Sequence, residues 1–320
     1  MGESKAIASL AVPLWAQRAL GAAPLALERQ WLLSQSGNEV YRARMPDGSS
    51  RVLRISPHAR AFMHTRANLG VLRELGLPVQ TVLGEGVTPM GAAFIVLDWL
   101  PGRDLYYVLQ DMSDAQGARV AATVTDFQHR VAAREAPANG GFGWVSLFGA
   151  RRSHARWSDI FGEPAARHAH VEMRDRTDAT PLERCRGRLG LLRASLEDYF
   201  ASVDPVCFLH DLTIKNVLVR DGELSGLIDF DSVCYGDPLM VLGITLAHLE
   251  ADIGEAGRPY GEALLQCWQP QGAQMRATGF YASLWATGFL AIAQDAGDAE
   301  RAQTLVPVVQ RLLAMAEGAA

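Results

Sequence analysis

Asp211, Asn216 and Asp229 constrain this chain more than any other feature of its sequence. The first two lie in Phe208-Leu209-His210-Asp211-Leu212-Thr213-Ile214-Lys215-Asn216-Val217-Leu218-Val219, the third in Leu227-Ile228-Asp229-Phe230-Asp231. Asn216–Arg220 and Leu224–Ile228 read as two short strands, and Asp221-Gly222 between them is a dipeptide that a tight hairpin turn favours. A short hairpin brings the residues at its two ends to one rim. An amide oxygen and a carboxylate there suit a hard cation such as magnesium, which takes oxygen ligands. A further carboxylate at Asp211 can orient a hydroxyl. Any one of these residues would serve equally as a turn or cap residue. The full set at this spacing is what phosphoryl transfer asks of a protein: a group to position the acceptor and oxygen donors to hold metal against phosphates.

The rest of the chain changes character along its length. Gln30–Ser34, Val40–Met45 and Arg51–Ile55 read as strands, the last two joined by the turn Pro46-Asp47-Gly48. A helix is expected from about Arg60 to Leu75, ended by Gly76 and Pro78. Strands follow around Val79–Leu83 and Ala92–Leu97, and Asp98-Trp99-Leu100-Pro101-Gly102 makes a connector. From Arg103 helices dominate, beginning with Leu105–Gln110 and Gly117–Ala133. Residues 139 to 149, rich in Gly and aromatics, read as a loop. Residues 151 to 193 hold ten arginines against six acids and are partly helical, and the tail from Leu239 is helical again.

Composition removes several function classes. A net charge of −5 offers no basic face for nucleic acid. Lys5 and Lys215 are the only lysines, and neither stands in a Gly-Lys-Ser/Thr run, so a P-loop is excluded. Cys185, Cys207, Cys234 and Cys267 are scattered singly, which suggests free thiols in a reducing cytosol rather than zinc or disulfides. The apolar stretch from Ala6 to Ala16 is interrupted by Pro13 and followed by Gln17 and Arg18. It reads as part of an amphipathic N-terminal helix rather than a secretory leader. No run approaches the ~18 apolar residues of a membrane span. A cytoplasmic protein with no nucleic-acid or membrane partner is the expectation, and nothing here sets its oligomeric state.

The segment around Asp211 resembles the catalytic loop of the aminoglycoside phosphotransferase family, whose pattern is H-G-D-x-x-x-x-N followed by a strand pair and I-D-F/W. Asp211, Asn216 and Ile228-Asp229-Phe230 match it, and Tyr235-Gly236-Asp237-Pro238-Leu239 is similar to the G-D-P segment that opens the next helix. Two departures stand out. Leu209 occupies the family's His position, with His210 in place of the Gly, and Val241 and Leu242 stand where a later Asp is customary.

Upstream, Ser36-Gly37-Asn38-Glu39-Val40-Tyr41 is similar to the turn that covers the nucleotide, and Arg54 falls where protein kinases carry a phosphate-binding Lys. Phe94–Gly102 resembles the strand and hinge whose backbone holds the base. The acid expected on the following helix, the partner of Arg54, has only Asn68 and the late Glu74 as candidates.

The resemblance implies an α+β, bilobal protein-kinase-like fold with a small antiparallel-sheet N-lobe and a larger, mainly helical C-lobe. Its divisions would be a nucleotide-binding lobe at 1–98, a hinge at 99–102 and a catalytic and substrate-binding lobe at 103–320. It further implies ATP or GTP as donor, contacted by Ser36, Gly37, Arg54, Asp98 and Leu100, with Mg2+ on Asn216 and Asp229 and catalysis by Asp211. The acceptor would be a small-molecule hydroxyl, expected to be that of an antibiotic, with the aromatic rings of Trp144 and Trp157 available to stack on it. The alternatives are a kinase of choline, homoserine or a sugar, or a catalytically weak binding protein of the same fold. Lys215 would either reach the transferring phosphate or lie in solvent.

Overall fold

The computed structural model describes residues 13–30, 37–134, 140–162 and 180–318. The chain forms two compact units. The first comprises residues up to Gly102 together with Ser146–Phe148 and Ser225–Asp231; the second comprises Arg103–Val145, Gly149–Leu224 and Ser232 onward.

The first unit is built on a five-stranded antiparallel sheet. Its strands are β1 (Ala26–Gln30), β2 (Glu39–Arg44), β3 (Ser50–Ser56), β4 (Val82–Val87) and β5 (Ala93–Asp98), in the order β1-β2-β3-β5-β4. The β2–β3 hairpin turns at Pro46-Asp47-Gly48, as its dipeptides predict. Gly48 takes φ 83°, and Asp47 accepts the Ser49 N–H at 2.9 Å. Strand side chains alternate between faces. Leu53 of β3 packs with Ala16 and Leu20 of helix α1 (Leu14–Leu20), Ala43, Met45 and Val96, and Ile55 lies against the same cluster. Arg54, between them, therefore points to the opposite face.

Helix α2 (Thr65–Glu74) buries Thr65, Asn68, Leu69 and Leu72, positions that share one helical face. It stops at Gly76, which takes φ 80°.

Several strand and helix boundaries differ from the sequence expectation. The first strand runs over Ala26–Gln30 rather than Gln30–Ser34, whose remaining residues lie outside those described. Helix α1 is described from Leu14, and the part of the expected N-terminal helix before Pro13 lies outside the described residues; α2 starts five residues later than Arg60. The fourth strand starts at Val82 and continues through Gly84 and Gly86. Glycine is unfavourable in a strand unless space demands it. Here a Cβ on Gly86 would come within 3.0 Å of the Phe94 ring on β5.

The second unit is mostly helical. Strand β6 (Arg103–Asp104) leads into α3 (Leu105–Val108) and then α4 (Asp114–Ala132), whose start is fixed by a capping box between Ser113 and Gln116. Strand β7 (Gly143–Val145) follows, then α5 (Pro181–Ser195), α6 (Glu197–Ala201) and β8 (Val206–Phe208). The β9 (Val217–Arg220) and β10 (Glu223–Leu227) hairpin, whose residues from Ser225 belong to the first unit, turns on Asp221 and Gly222 with φ 54° and 80°, the paired positive values of a type I′ turn. Strand β11 (Val233–Gly236) lies between β7 and β8. The C-terminal helices are α7 (Leu239–His248), α8 (Arg258–Trp268), α9 (Ala273–Asp295) and α10 (Ala299–Glu317). Among the described residues, no helix is long and apolar enough to cross a membrane.

The core of this unit is aromatic. Trp157 is fully buried, donates its Nε1–H to the Tyr281 hydroxyl at 2.7 Å and meets Phe161 and Phe208 edge-on. Its expected role of stacking on an acceptor is therefore overturned, because no face of the ring reaches solvent. The loop expected over 139 to 149 contains β7, which exists only through pairing with β11 more than eighty positions away in sequence, Trp144 opposite Cys234.

Candidate active site

Asp211 and Asn216 are set by a short loop closed on itself. After β8, the buried Gln128 of α4 donates from Nε2 to the Leu209 carbonyl at 2.8 Å and accepts the Leu209 N–H through Oε1 at 3.0 Å. Both main-chain groups entering the loop are thereby satisfied without a strand partner. The Asp211 carbonyl then accepts the Thr213 N–H and the Asn216 Nδ2–H, each at 2.8 Å. With Nδ2 bonded back into the loop, the amide oxygen of Asn216 is left as its acceptor.

Lys215 stands next to it in an ion pair. Its ammonium lies 3.0 Å from Asp252, a residue that His248 and Arg301 also engage at 3.0 and 2.6 Å. Lys215, expected either to reach the phosphate or to lie in solvent, is paired with a carboxylate and remains partly exposed. His210 packs edge-on to Trp144.

Asp229 and Asp231 belong to the first unit, with Arg54. Arg54 Nη2 sits 2.8 Å from Asp229 Oδ1 and 2.8 Å from Asp231 Oδ2, and its guanidinium lies over the Phe62 ring. Burial alone would lower the basicity of this guanidinium, but the two carboxylates more than offset it, so its pKa is raised. Asp231 is raised by burial despite Arg54 beside it. Its other oxygen accepts the Thr65 hydroxyl at 2.6 Å. Asp229 takes φ 70°, a left-handed backbone that a non-glycine residue adopts at a cost of order 1 kcal/mol. Its side chain stays half exposed.

The acid sought on the following helix is not there. Asn68 does not touch Arg54; it donates to the Ser146 carbonyl at 2.9 Å and accepts from Phe148 N–H at 3.2 Å. Glu74 is exposed at the end of α2. The partners of Arg54 lie beyond the hairpin instead.

The remaining candidates are placed as follows. Gly37 opens the way into β2 with φ 70°, and Ser36 lies outside the described residues. Asp98 is committed to its neighbours: Oδ1 accepts the Thr81 N–H at 2.6 Å, its N–H goes to the Thr81 carbonyl, and its carbonyl accepts from Gln80 Nε2. Leu100 covers Gly226, where a Cβ would approach Leu100 Cδ1 to 2.7 Å.

A third carboxylate, Asp237, is buried beneath α7. It accepts the hydroxyls of Tyr199 and Tyr281 at 2.7 and 2.8 Å and the Leu239 N–H at 3.0 Å, an anchor rather than a reactive group. Sequence reading missed Gln128, Thr65 and Asp252. A Gln within an apolar helix face was the one available signal for Gln128; the other two gave none.

The profile of the phosphotransferase enzyme family matches residues 31–277, most of the chain. The chain belongs to the phosphotransferase enzyme family. Among solved structures, the chain resembles a thermostable mutant of aminoglycoside phosphotransferase APH(4)-Ia in its apo form. The TM-score is 0.70 at 17% identity, covering 94% of this chain and 98% of the other. It is also similar to the amicoumacin kinase hAmiN in complex with AMP-PNP and Ca2+ (TM-score 0.62, 15% identity, 94% and 93% covered). A third is the GDP and kanamycin complex of APH(2")-IIIa (TM-score 0.64, 15% identity, 93% and 96% covered). No curated protein matches the sequence. At these identities the likeness shows the fold: the small antiparallel sheet and mainly helical remainder are those of the aminoglycoside phosphotransferases, as the motifs implied.

Proposed function

We propose that this phosphotransferase is a magnesium-dependent kinase that moves the γ-phosphoryl group of ATP or GTP onto a hydroxyl of a small-molecule antibiotic. The observation that carries the reading is Asp229. Its left-handed backbone leaves a half-exposed carboxylate beside a buried guanidinium, a pairing that suits a site for metal and phosphate.

Asn216 and Asp229 would hold the metal. An amide oxygen and a carboxylate are hard oxygen donors of the kind magnesium accepts, with phosphate oxygens and water completing its shell. When bound, the ion neutralises phosphate charge. Arg54 contacts the phosphates through its planar fork, and Asp211 orients the acceptor hydroxyl and takes its proton. Residues 1–98 form the nucleotide lobe, with Gly37 at its covering turn and Ser36 beside it. The main chain at Asp98 and Leu100 holds the base before the catalytic lobe begins at 103. Since the Asp98 amide and carbonyl are already bonded, Leu100 carries most of that recognition.

For the acceptor, the solved neighbours supply the support: their complexes contain hygromycin B, kanamycin or, in the amicoumacin kinase, Ami, alongside nucleotides. The test is a panel of hydroxylated antibiotics and metabolites assayed for magnesium-dependent consumption of ATP and GTP, paired with resistance measurements in a sensitive bacterium. Phosphorylation of an antibiotic with matching resistance is expected. Rapid turnover of choline, homoserine or a sugar with no resistance would move the function to metabolism.

A further inference from the structure

A phosphate-binding cation on a β-strand is useful only if something fixes where its charge points. The helix that follows Arg54 supplies no acid for this purpose. Glu74 lies nine positions after Thr65, half a turn out of phase with it on a 3.6-residue repeat, and is exposed. We propose that Asp231, held by the Thr65 hydroxyl, is the positioning residue that anchors Arg54 for nucleotide binding, in place of a helix acid. This rests on the nucleotide-binding reading given above.

The geometry divides the two carboxylates into separate tasks. Asp229 and Asp231 both reach the same guanidinium nitrogen at 2.8 Å, but their surroundings differ. The Asp229 side chain is 44% exposed and has no second side-chain anchor among the described residues, so it can turn to a metal. Asp231 is 25% exposed, and its second oxygen is fixed by Thr65 at 2.6 Å, in the first turn of α2. One turn on, Asn68 reaches the Asp231 carbonyl at 3.4 Å and locks Ser146 and Phe148 with its amide.

The helix thus grips the segment that carries both acids through neutral groups. The negative charge that would otherwise sit on the helix sits on that segment. One guanidinium faces two carboxylates, a surplus of one negative charge. Once Asp229 turns to a divalent ion, Asp231 alone keeps Arg54 from following it, and the cluster becomes favourable to polyphosphate. Asp231 is therefore not a metal ligand. It acts through Arg54.

The experiment measures binding of a fluorescent ADP analogue to the full chain, with magnesium and with EDTA, for the wild type, Asp231→Asn, Thr65→Val, Arg54→Lys and the double variant Arg54→Lys/Asp231→Asn. Asp231→Asn should weaken magnesium-nucleotide binding about tenfold and Thr65→Val about threefold. The loss in the double variant should fall well short of the product of the two single losses, because both substitutions break one linkage. Independent, multiplying losses would show that Asp231 acts apart from Arg54 and would overturn the proposal. So would unchanged affinity in Thr65→Val, a near-isosteric change that removes only the hydroxyl and is the variant most certain to fold. With EDTA, where Asp229 stays on Arg54, the effect of Asp231→Asn should shrink; an equal loss in both conditions counts against the division of tasks. A wild type that binds no nucleotide at all would instead refute the kinase reading, and this inference with it.

Discussion

Replacing Asp252 with Asn should loosen the loop that carries Asn216 and cost the protein measurable stability with a defined pH signature. Asp252 receives Lys215 Nζ at 3.0 Å, Arg301 Nη2 at 2.6 Å and His248 Nδ1 at 3.0 Å. Burial works to raise its pKa, but the hydrogen bond from His248 and the charge of Lys215 prevail and bring it down to about 2. Burial also lowers the pKa of His248, against the pull of its hydrogen bond with Asp252.

An unfolded Asp titrates near ~3.9, so the folded form binds its proton less tightly than the unfolded form. The resulting stability is fully present above about pH 4 and is lost as pH falls from there through about 2. A shift approaching two pH units corresponds to about 2.5 kcal/mol. Solvent around the partly exposed Lys215 brings the expected loss to about 2 kcal/mol at pH 7. Chemical denaturation of wild type and Asp252→Asn at pH 7, 5, 4 and 3 reads this directly. The gap between the curves should hold from 7 to 5 and narrow below 4. Superimposed curves at pH 7, or a gap that persists undiminished at pH 3, would show that the carboxylate's charge contributes nothing.

Asp211→Asn should lower kcat by about 10²–10⁴-fold with nucleotide affinity little changed, since only proton transfer and acceptor orientation are removed; turnover near wild type would exclude it as the catalytic carboxylate. Asn216→Ala and Asp229→Ala should each raise the magnesium concentration for half-maximal activity or abolish activity, and unaltered metal dependence in both would place the ion elsewhere. Asp104→Asn should be stabilising. Burial pushes the Asp104 carboxyl up to about 6, so its contribution is best below the unfolded value near ~3.9 and worsens as pH rises through 6. Allowing for partial solvation, the variant should gain about 1–2 kcal/mol at pH 7.5 and nothing at pH 4, measured by denaturation at both.

What the sequence revealed and what it concealed divide along one physical line, the distance over which a requirement is met. The turns at Pro46-Asp47-Gly48 and Asp221-Gly222 were legible because left-handed backbone is a local demand that only a few residue types satisfy. The Asp211–Asn216 spacing was legible because a loop closing on its own carbonyl fixes that interval. By contrast, β7, β8 and β11 are three or four residues each and hold together only through partners far along the chain, so no local pattern announces them. Trp157, as a loop aromatic, is expected from the sequence to be available for stacking on an acceptor. Its burial is decided by Tyr281, 124 positions later.

The partner of Arg54 shows the same principle within the candidate site. A search confined to the next helix could return only Asn68 or Glu74, whereas Asp231 lies 177 positions away. A guanidinium buried in a sheet requires a carboxylate, because an unpaired buried charge costs several kcal/mol. The requirement specifies charge and proximity and leaves open which segment provides them. In this chain the provider is the segment just past the β9–β10 hairpin. The feature that constrains the fold most strongly thus also supplies the counter-charge that the helix lacks.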